Sequence, residues 1–377
     1  MQHRTFPSVP GFSVSTLGFG AMRLPVLEGD LARIDEEAAT DLVHDAIRAG
    51  VNYVDTAFVY HSGQSEAFLG RALCGRWRER VKLATKCPVW LVESAVDCER
   101  ILEEQLRKLG RDRIDFYLFH ALAKERWEKV KRLGLTGVLE RARADGRIGH
   151  IGFSFHGPLG DFKSILDGYD WEFTQIQLNY LDQAFQAGLA GLRYAADRRV
   201  GVVVMEPLRG GALAAVPTEV KEALSRSGRS WSPAEWALRW AWDQPGVVTV
   251  LSGMGRPEQV AENTSAACAA GRLGPDDLAC LENARVFYEA RMAVPCTTCG
   301  YCQPCPNGVA IADVFNAFNA GRMFDEKGRA SWRYRTFQLD NGSGADRCEE
   351  CGDCEPRCPQ HIPIAEMLAT AHTYLTS

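Results

Sequence analysis

The sequence contains no long apolar run, and this absence excludes two classes of protein. The first thirty residues hold no apolar segment of the kind that forms a secretory signal, and no later run approaches the length of a membrane span. The net charge of −5 gives no basic excess, so neither a nucleic acid nor an anionic membrane is expected as a partner. The sequence therefore predicts a cytoplasmic protein, in a compartment where disulfides are rare.

A glycine-rich dinucleotide-binding turn is also absent. A doubly wound open sheet is expected to show an early G-x-G-x-x-G turn, and the segment Leu17-Gly18-Phe19-Gly20-Ala21 does not have that spacing. Strand and helix patterns nevertheless alternate along the chain. The predicted strands are Thr16–Gly20, Val51–Val54, Arg80–Thr85, Arg113–Phe119, Ile148–Phe153, Phe173–Leu178, Val200–Met205 and Val247–Leu251. Eight βα units in about 270 residues predict an α/β fold, a closed (β/α)8 TIM barrel, with the open sheet as the alternative.

Several segments outside these strands also carry predictions. Residues His3 to Val14 are expected to form a small hairpin, and Gln64 to Leu73 a helix. A helix is predicted somewhere within Glu125 to Ala144, ending before Gly146. A further helix, from Gly274 to Arg291, is expected to pack outside the barrel.

Polar side chains stand at the ends of three consecutive predicted strands. Asp55 ends the second strand and Tyr60 lies in the loop after it, whereas Lys86 and His120 follow the third and fourth strands. Active sites of parallel α/β folds lie at these strand ends. A lysine in an apolar setting needs a partner, and Asp55 is the obvious one. A charged Lys86 is expected to lower the pKa of the Tyr60 phenol, so that it exchanges a proton near neutral pH.

Each of the four residues has an ordinary structural explanation when it is taken alone, but the set forms part of a wider pattern. This pattern comprises Asp55-Thr56-Ala57, Tyr60, Ser65-Glu66, Gly70, Thr85-Lys86 and the strand from Arg113 to His120. It resembles the aldo-keto reductase family, over residues Leu17 to Ala290. The resemblance implies a barrel that binds a nicotinamide cofactor, usually NADP(H), and transfers a hydride between that cofactor and a carbonyl carbon.

Catalytic roles follow from the same resemblance. Tyr60 is implied to be the general acid in reduction and the base in oxidation. Lys86 is implied to tune Tyr60, and Asp55 to hold Lys86. His120 is implied to orient the substrate carbonyl with a second hydrogen bond.

The resemblance also implies contacts to the nicotinamide half of the cofactor. Ser154 and Gln175 fall where the family holds the carboxamide. The family usually has Asn after that serine, whereas this chain has Phe155 and then His156, which makes His156 the candidate replacement. Met205 stands where the family often stacks an aromatic ring on the nicotinamide. The segment Leu208 to Gly211, which includes Gly210, is expected beside the pyrophosphate.

The segment after the eighth strand resembles the one that grips the adenosine end. Its predicted contacts are Ser252, Gly253, Arg256, Gln259, Glu262 and Asn263. Backbone N–H groups at a helix N-terminus suit phosphate, and a guanidinium suits a phosphate dianion. Arg256 therefore predicts a preference for NADP(H) over NAD(H). Taken alone, this stretch is also compatible with an ordinary capped loop.

The thirteen cysteines are unevenly distributed. Five are scattered and are expected to be core residues: Cys74, Cys87, Cys98, Cys268 and Cys280. The other eight form two runs that each end in Cys-Pro: Cys296, Cys299, Cys302 and Cys305, then Cys348, Cys351, Cys354 and Cys358. Three cysteines at this spacing can ligate one cubane while the fourth commonly ligates the other, so two 4Fe–4S clusters are predicted. Zinc sites with four cysteines are the alternative.

The cysteine segment resembles helical ferredoxin-type domains with two 4Fe–4S clusters. Those have a helical insert between their motifs, and Ile311 to Met323 is predicted to be helical here. The crossed pairing would give one cluster Cys296, Cys299, Cys302 and Cys358, and the other Cys348, Cys351, Cys354 and Cys305. Two residues separate Cys302 from Cys305, whereas the usual number is three. This departure places Cys305, the fourth ligand of the second cluster, outside the usual pattern.

The sequence thus predicts an aldo-keto reductase barrel over residues 1–292 and a ferredoxin-like domain over residues 293–377. The leading hypothesis is an NADP(H)-dependent oxidoreductase that acts on a small carbonyl or alcohol, with clusters for electron transfer. A protein that exchanges electrons between NADPH and an electron-transfer partner, without an organic substrate, is one alternative. A redox-sensing regulatory subunit is another. The substrate's identity is left open.

Overall fold

The computed structural model describes residues 1–9, 11, 13–296, 298 and 300–377. These residues form two compact units. The first consists of Met1–Gly211 and Ala234–Leu273, and the second of Ala212–Pro233 and Gly274–Ser377. Among the described residues, none of the helices combines the length and the apolar character needed to cross a bilayer.

The first unit is a closed barrel of parallel strands, preceded by a two-stranded hairpin. The strands are β1 (His3–Thr5), β2 (Ser13–Ser15), β3 (Leu17–Gly20), β4 (Tyr53–Asp55), β5 (Lys82–Cys87), β6 (Ile114–Leu122), β7 (Ile148–Phe155), β8 (Phe173–Gln177), β9 (Gly201–Met205) and β10 (Val247–Ser252). Around the described barrel the order runs from β3 to β10, and β10 pairs with β3 to close it. The predicted fold class is confirmed, and the open-sheet alternative is wrong.

Helices follow the barrel strands and continue into the second unit. They are α1 (Glu36–Arg48), α2 (Ser65–Ala72), α3 (Ala95–Leu109), α4 (Lys124–Arg132), α5 (Leu135–Ala144), α6 (Leu159–Asp167), α7 (Gly188–Asp197), α8 (Thr218–Ser225), α9 (Pro233–Asp243), α10 (Pro257–Cys268), α11 (Pro275–Ala290), α12 (Ile311–Phe324), α13 (Lys327–Tyr334) and α14 (Ile364–Thr376). The described chain also holds a π-helix, Arg335–Leu339.

The barrel strands are apolar because both of their faces are covered. In β9 the residues Val202, Val203 and Val204 are completely buried, as expected for a strand between the barrel interior and a layer of helices. The helices are amphipathic, and α1 buries Leu42 and Val43 while its charged residues face outward.

The helix predicted within Glu125 to Ala144 corresponds to α5, and a second helix, α4, precedes it. The break falls at Gly134, which has φ of +63° and ends the hydrogen-bond ladder of α4. A side chain at that φ is strained, so glycine allows the sharp reversal. The consequence for the site is that α4 is a short helix directly after β6.

One end of the barrel is closed by apolar packing. The hairpin of β1 and β2 leads to Phe6, whose ring centroid lies 5.0 Å from that of Phe116 and 5.8 Å from that of Phe173. Phe116 and Phe173 lie in the first half of their strands, so Phe6 covers the amino-terminal end of the barrel. The opposite end, where the strands terminate, remains for polar chemistry.

The second unit is helical. In it α11 packs against α8, a helix that the sequence patterns did not predict, and Arg229 forms a two-pronged ion pair with Asp277 at 3.0 Å for each nitrogen. Helices α12, α13 and α14 share a second apolar core around Val314, Phe315 and Leu368. The predicted helical insert from Ile311 to Met323 corresponds to α12.

Candidate active site and cysteine centre

A buried ion pair lies at the carboxyl ends of β4 and β5. The Lys86 ammonium lies 2.7 Å and 2.8 Å from the two carboxylate oxygens of Asp55 and donates a further 2.7 Å hydrogen bond to the Thr56 carbonyl. Asp55 ends its strand, and Lys86 is the penultimate residue of the neighbouring one. Burial alone would lower the pKa of Lys86, but the charges and hydrogen bonds of Asp55 and Tyr60 together outweigh it and raise that pKa. Lys86 is therefore a fixed positive charge.

Tyr60 lies beside this charge. It begins a short 3-10 turn, Tyr60–Gly63, after β4, and the Lys86 ammonium is 5.0 Å from the centroid of its ring. Burial raises the pKa of the Tyr60 phenol above its ordinary value, although the attraction of Lys86 opposes this shift. The expected lowering of the phenol pKa to near neutrality is therefore wrong in the structure, because burial is the larger effect. Tyr60 is a protonated phenol at neutral pH.

His120 completes the predicted set from the third strand. It lies within β6, two residues before the strand ends, and its ring centroid is 6.2 Å from that of Tyr60 and 5.1 Å from that of Trp90. Burial, followed by repulsion from Lys86, His156 and Arg126, lowers the pKa of His120 well below its ordinary value. Its buried Nδ1 has no hydrogen-bond partner in the part of the chain that the structure describes. A neutral imidazole thus faces the same region as the Tyr60 phenol.

A buried polar network supports the strand that carries Lys86. The Gln105 side-chain amide donates to the Lys86 carbonyl at 3.1 Å and to Glu66 at 2.6 Å. Thr85 donates to the same Glu66 oxygen at 2.6 Å, and the Tyr117 hydroxyl donates to Gln105 at 2.6 Å. Glu66 and Thr85 are part of the sequence pattern described above, whereas Gln105 and Tyr117 lie in helix and strand patterns that indicate only burial.

The predicted carboxamide contacts lie on adjacent strands. Ser154 is buried in β7 and its hydroxyl accepts a 2.7 Å hydrogen bond from the Ala121 backbone N–H. Gln175 is buried in β8, where its amide nitrogen lies 3.5 Å from the Met205 sulfur. The Gln175 carbonyl oxygen is buried and has no hydrogen-bond partner among the described residues. This unpaired acceptor suits the NH2 group of a carboxamide.

His156 follows β7 and is exposed to solvent. Desolvation by the surrounding protein lowers the pKa of His156, although Glu206 and a hydrogen bond with the Gln186 side chain oppose this shift. The His156 imidazole thus has its own hydrogen-bond partner, Gln186, next to the position where the family usually has Asn.

The predicted phosphate and adenosine contacts follow β9 and β10. Leu208 and Gly210 are half-buried after β9, and Gly210 has φ of +68°. Arg256 is exposed at the N-cap of α10, with Pro257 at the first helical position. Glu262 is exposed on the same helix.

Three of these predicted residues have structural partners. Asn263 donates to the Ser252 hydroxyl at 3.0 Å, and the Gly255 N–H donates to the Gln259 side chain at 2.9 Å. These contacts fix the segment between β10 and α10, as the capped-loop alternative also expects. The charged residue of the segment between β10 and α10 is the exposed Arg256.

Two features at the strand ends were missed by sequence reasoning. The aliphatic part of Arg23, which follows β3, would contact any side chain placed at Gly253. Arg126 on α4 lies with its guanidinium carbon 5.1 Å from the Trp90 ring centroid and donates to the Ala121 carbonyl at 2.6 Å. Neither residue belongs to a periodic or spaced pattern, so only the folded geometry brings them to the site.

The cysteines of the second unit line two cavities. One is lined by Cys296, Cys302 and Cys358. The other is lined by Cys305, Cys348, Cys351 and Cys354, with Cys302 also at its wall. Cys299 lies outside the described residues. Apart from Cys302, which borders both cavities, the described cysteines divide between them, and the assignment of cluster ligands stays a prediction.

The chemistry of these cavities fits iron–sulfur clusters. Cysteine thiolates are the usual ligands of such clusters, and none of the described cysteines is in a disulfide. Within the described ranges, no group of three or more Cys, His, Asp or Glu side chains is arranged to hold a single metal ion. Among the scattered cysteines, Cys87, Cys98 and Cys280 are buried, but Cys74 and Cys268 are exposed, so the expectation that all five are core residues is wrong for these two.

Comparison with known families identifies both parts of the chain. The family model described as the aldo/keto reductase family matches residues 16–285. The model described as a 4Fe-4S dicluster domain matches residues 295–362. The two matches do not overlap along the chain.

Comparison with curated proteins finds two similar oxidoreductases. An NADH-specific methylglyoxal reductase from Escherichia coli (strain K12) is 28% identical over 305 residues, which cover 67% of this chain and 90% of that protein. An L-galactose dehydrogenase from Arabidopsis thaliana is 27% identical over 286 residues, which cover 71% of this chain and 88% of that protein.

Solved structures show the same barrel. The holo form of aldo-keto reductase AKR11C1 from Bacillus halodurans has a TM-score of 0.64 and 25% identity, covering 75% of this chain and 96% of that one. An aldo-keto reductase from Klebsiella pneumoniae in complex with NADPH has a TM-score of 0.61 and 21% identity, covering 75% and 95%.

Proposed function

The chain belongs to the aldo/keto reductase family and carries a 4Fe-4S dicluster domain, and from this premise we propose that it is an NADP(H)-dependent carbonyl reductase or alcohol dehydrogenase with two resident clusters. It is an oxidoreductase that acts on a carbonyl or alcohol group. The observation that carries the proposal is the buried pair of Lys86 and Asp55 beside a protonated Tyr60. The proposed division into residues 1–292 and 293–377 is consistent with the two family matches.

The proposed chemistry at the barrel is a proton transfer that accompanies hydride transfer. Bound NADP(H) supplies or accepts the hydride. In reduction, Tyr60 donates its phenolic proton to the carbonyl oxygen, and Lys86 stabilises the phenolate that remains. The neutral His120 donates a hydrogen bond to the same oxygen, which orients it toward Tyr60. The phenolate recovers a proton from solvent before the next turnover.

The proposed nicotinamide contacts are Ser154 and Gln175, with Met205 against the ring. The unpaired, buried carbonyl oxygen of Gln175 supports this proposal, because it offers an acceptor where the carboxamide needs one. We further propose that Leu208, Gly210, Ser252, Gly253, Gln259, Glu262 and Asn263 line the pyrophosphate and adenosine positions. Of these proposed contacts, Ser252 and Asn263 act by fixing the loop between β10 and α10.

The proposed preference for NADP(H) rests on Arg256. Its guanidinium is exposed at the start of α10, where a phosphate would also meet backbone N–H groups. The similar Escherichia coli protein is described as NADH-specific. The choice between the cofactors therefore depends on this local charge and not on family membership.

The proposed cluster ligands follow the two cavities. Cys296, Cys299, Cys302 and Cys358 would hold one cluster, and Cys348, Cys351, Cys354 and Cys305 the other. Such clusters transfer single electrons over a wide range of potentials. The hydride step moves two electrons at once, so the clusters are proposed to serve an electron-transfer partner protein or a step at the substrate.

A second candidate function is electron transfer between NADPH and a partner without any organic substrate. The observation that favours it is the presence of two thiol-lined cavities, which a simple carbonyl reductase does not require. A redox-sensing regulatory subunit would need neither a protonated Tyr60 nor a neutral His120, and the geometry gives it no separate support.

The experiment that separates these functions follows the transferred hydride. Anaerobically purified protein is incubated with NADPH deuterated on the nicotinamide carbon that carries the hydride and with a panel of aldehydes, and the alcohols are analysed by mass spectrometry. A carbonyl reductase places the deuterium on the carbinol carbon. Cluster reduction by NADPH with no labelled alcohol from any aldehyde would replace the proposal with the electron-transfer function.

The matching variant test uses Tyr60→Phe. Loss of the phenolic proton donor should lower kcat/KM for carbonyl reduction by about 100-fold to 10,000-fold while NADPH binding persists. Tyr53→Phe is the control, because the Tyr53 hydroxyl is buried near the start of β4 and has no hydrogen-bond partner among the described residues. Near-normal turnover by Tyr60→Phe would remove Tyr60 from the mechanism.

A further inference from the structure

A cation, Arg126, lies next to the proposed reaction centre. Arg126 lies on α4, and in the described chain no carboxylate forms an ion pair with it. One of its nitrogens donates to the Ala121 carbonyl at 2.6 Å, and its guanidinium carbon lies 5.1 Å from the centroid of the Trp90 ring. A guanidinium has five N–H donors, so most of its donors remain for another acceptor.

Two contacts link Arg126 to the reaction centre. The Trp90 ring, on which the guanidinium lies, is itself 5.1 Å from the His120 ring. Ala121 has φ of +50°, so that its carbonyl accepts from Arg126 while its N–H donates to Ser154 at 2.7 Å. Arg126 is therefore held in place by the same strand end that carries His120.

The surrounding charges leave this position open to an anion. Lys86 is a second positive charge in this region. Repulsion from Arg126 contributes to the lowered pKa values of both His120 and His156. Glu206, the carboxylate that acts on Tyr60 and His156, does not pair with Arg126. A half-buried guanidinium is costly without a partner, and a substrate anion would provide one.

Resting on the proposed carbonyl reductase function, we propose that Arg126 binds an anionic group of the substrate. The substrate class is then a small carbonyl compound that also carries a carboxylate or a phosphate. The anion lies beside the Trp90 ring, and the carbonyl oxygen is directed to His120 and Tyr60. Carboxylate and phosphate both accept paired hydrogen bonds from a guanidinium, so the two sources are separated by experiment.

The test compares matched substrates. Wild-type protein and the variants Arg126→Gln and Arg126→Lys are assayed with para-carboxybenzaldehyde against its methyl ester, and with glyceraldehyde phosphate against glyceraldehyde. Arg126→Gln keeps a hydrogen-bonding side chain but removes the charge. Arg132→Gln is the control, because Arg132 is exposed in the last turn of the same helix and loses the same charge.

The expected result is a selective rise in KM. Arg126→Gln should raise KM for one or both anionic substrates by about 10-fold to 100-fold, with little change for the uncharged ones. Arg126→Lys should raise KM for the same substrates by an intermediate factor, because lysine keeps the charge but not the planar pair of donors. The pair of substrates in which KM changes selectively identifies carboxylate or phosphate as the anion.

Three results would overturn the inference. The first is an equal loss for charged and uncharged substrates in both Arg126 variants, which would make Arg126 structural. The second is turnover of the uncharged aldehydes by wild-type protein without any preference for the anionic ones. The third is the same KM change in Arg132→Gln, which would make the effect one of overall charge.

Failure of the proposed function gives a different result. If no aldehyde is reduced, binding of benzoate and of inorganic phosphate to the NADPH-loaded protein is measured by calorimetry. Binding that is lost in Arg126→Gln and kept in Arg132→Gln would preserve the anion site and reject only the reductase function. Absence of binding to the wild-type protein would reject the anion site as well.

Discussion

The Lys86 ammonium touches both oxygens of the Asp55 carboxylate, at 2.7 Å and 2.8 Å, and both side chains are almost completely buried. The ammonium donates a third hydrogen bond to the Thr56 carbonyl. Two buried charges of this kind depend on each other, because each compensates the cost of removing the other from water. The pair therefore stabilises the folded protein and keeps Lys86 positively charged beside Tyr60.

The first prediction concerns the loss of this pairing. Asp55→Asn should destabilise the protein by about 3–5 kcal/mol, because an uncompensated buried lysine remains. The same variant should lose carbonyl reduction, since a lysine without its carboxylate becomes neutral more readily. Stability is measured by urea unfolding and activity by NADPH oxidation.

The control for Asp55→Asn is Asp45→Asn. Asp45 forms an ion pair with Arg48 on α1 in which both side chains are about half exposed. Such a surface pair contributes about 0–1 kcal/mol, so its loss should leave both measurements almost unchanged. An Asp55→Asn protein as stable as Asp45→Asn would show that the buried charge is relieved by some other group.

The second prediction concerns pH. Burial raises the pKa of Tyr60 above its ordinary value of 10.0, and burial together with nearby cations lowers that of His120 well below 6.5. Tyr60 is then protonated and His120 neutral throughout the neutral range, so kcat/KM for reduction should be flat there. Reduction should fall only as alkaline pH removes the Tyr60 proton, whereas alcohol oxidation, which needs the phenolate, should rise over the same range.

The measurement is the pH profile of kcat/KM in both directions, with stability checked at each pH. Tyr60→Phe serves as the reference, because its residual activity should lack the alkaline limb. A reduction limb close to neutral pH would mean that Lys86 lowers the phenol pKa more than burial raises it, as the sequence alone suggested.

The barrel could be predicted because its strands are continuous apolar segments that end in polar residues. Val202, Val203 and Val204 are buried on both faces, and eight βα units in this length are typical of a closed barrel. Asp55, Lys86 and His120 could be predicted for the same reason, since the carboxyl ends of parallel strands converge. The structure brings all of them together with Tyr60.

The remaining details depend on tertiary contacts that no local pattern contains. The sign of the Tyr60 pKa shift depends on the desolvation of the phenol in the folded chain, which outweighs the charge that the sequence shows beside it. The break between α4 and α5 depends on a single residue, Gly134, in an otherwise helical pattern. Arg126 on α4 and Trp90 after β5 are far apart in the sequence and meet only in the folded chain.

The third prediction concerns cofactor choice. Wild-type protein should prefer NADP(H) over NAD(H), and Arg256→Ala should narrow that preference by weakening NADP(H) binding alone. Dissociation constants for both cofactors are measured by fluorescence titration. Arg141→Ala on α5 is the control, because Arg141 is an exposed arginine on a different helix. Equal affinity of the wild-type protein for both cofactors would contradict the role of Arg256.

The last prediction concerns the clusters. Anaerobically purified protein should contain about eight irons per chain, since each cubane holds four. Cys305 lies at the wall of the cavity that also contains Cys348, Cys351 and Cys354, although its spacing from Cys302 departs from the usual pattern. Cys305→Ser should therefore lower the iron content toward four and remove one of two signals in an anaerobic redox titration followed by electron paramagnetic resonance.

The control is Cys268→Ser, because Cys268 is exposed and lines neither of the two cavities. This variant should change neither the iron content nor the number of signals. About four irons in the wild-type protein would show that Cys305 completes no second site, and clusters that stay in one redox state at every accessible potential would make them structural.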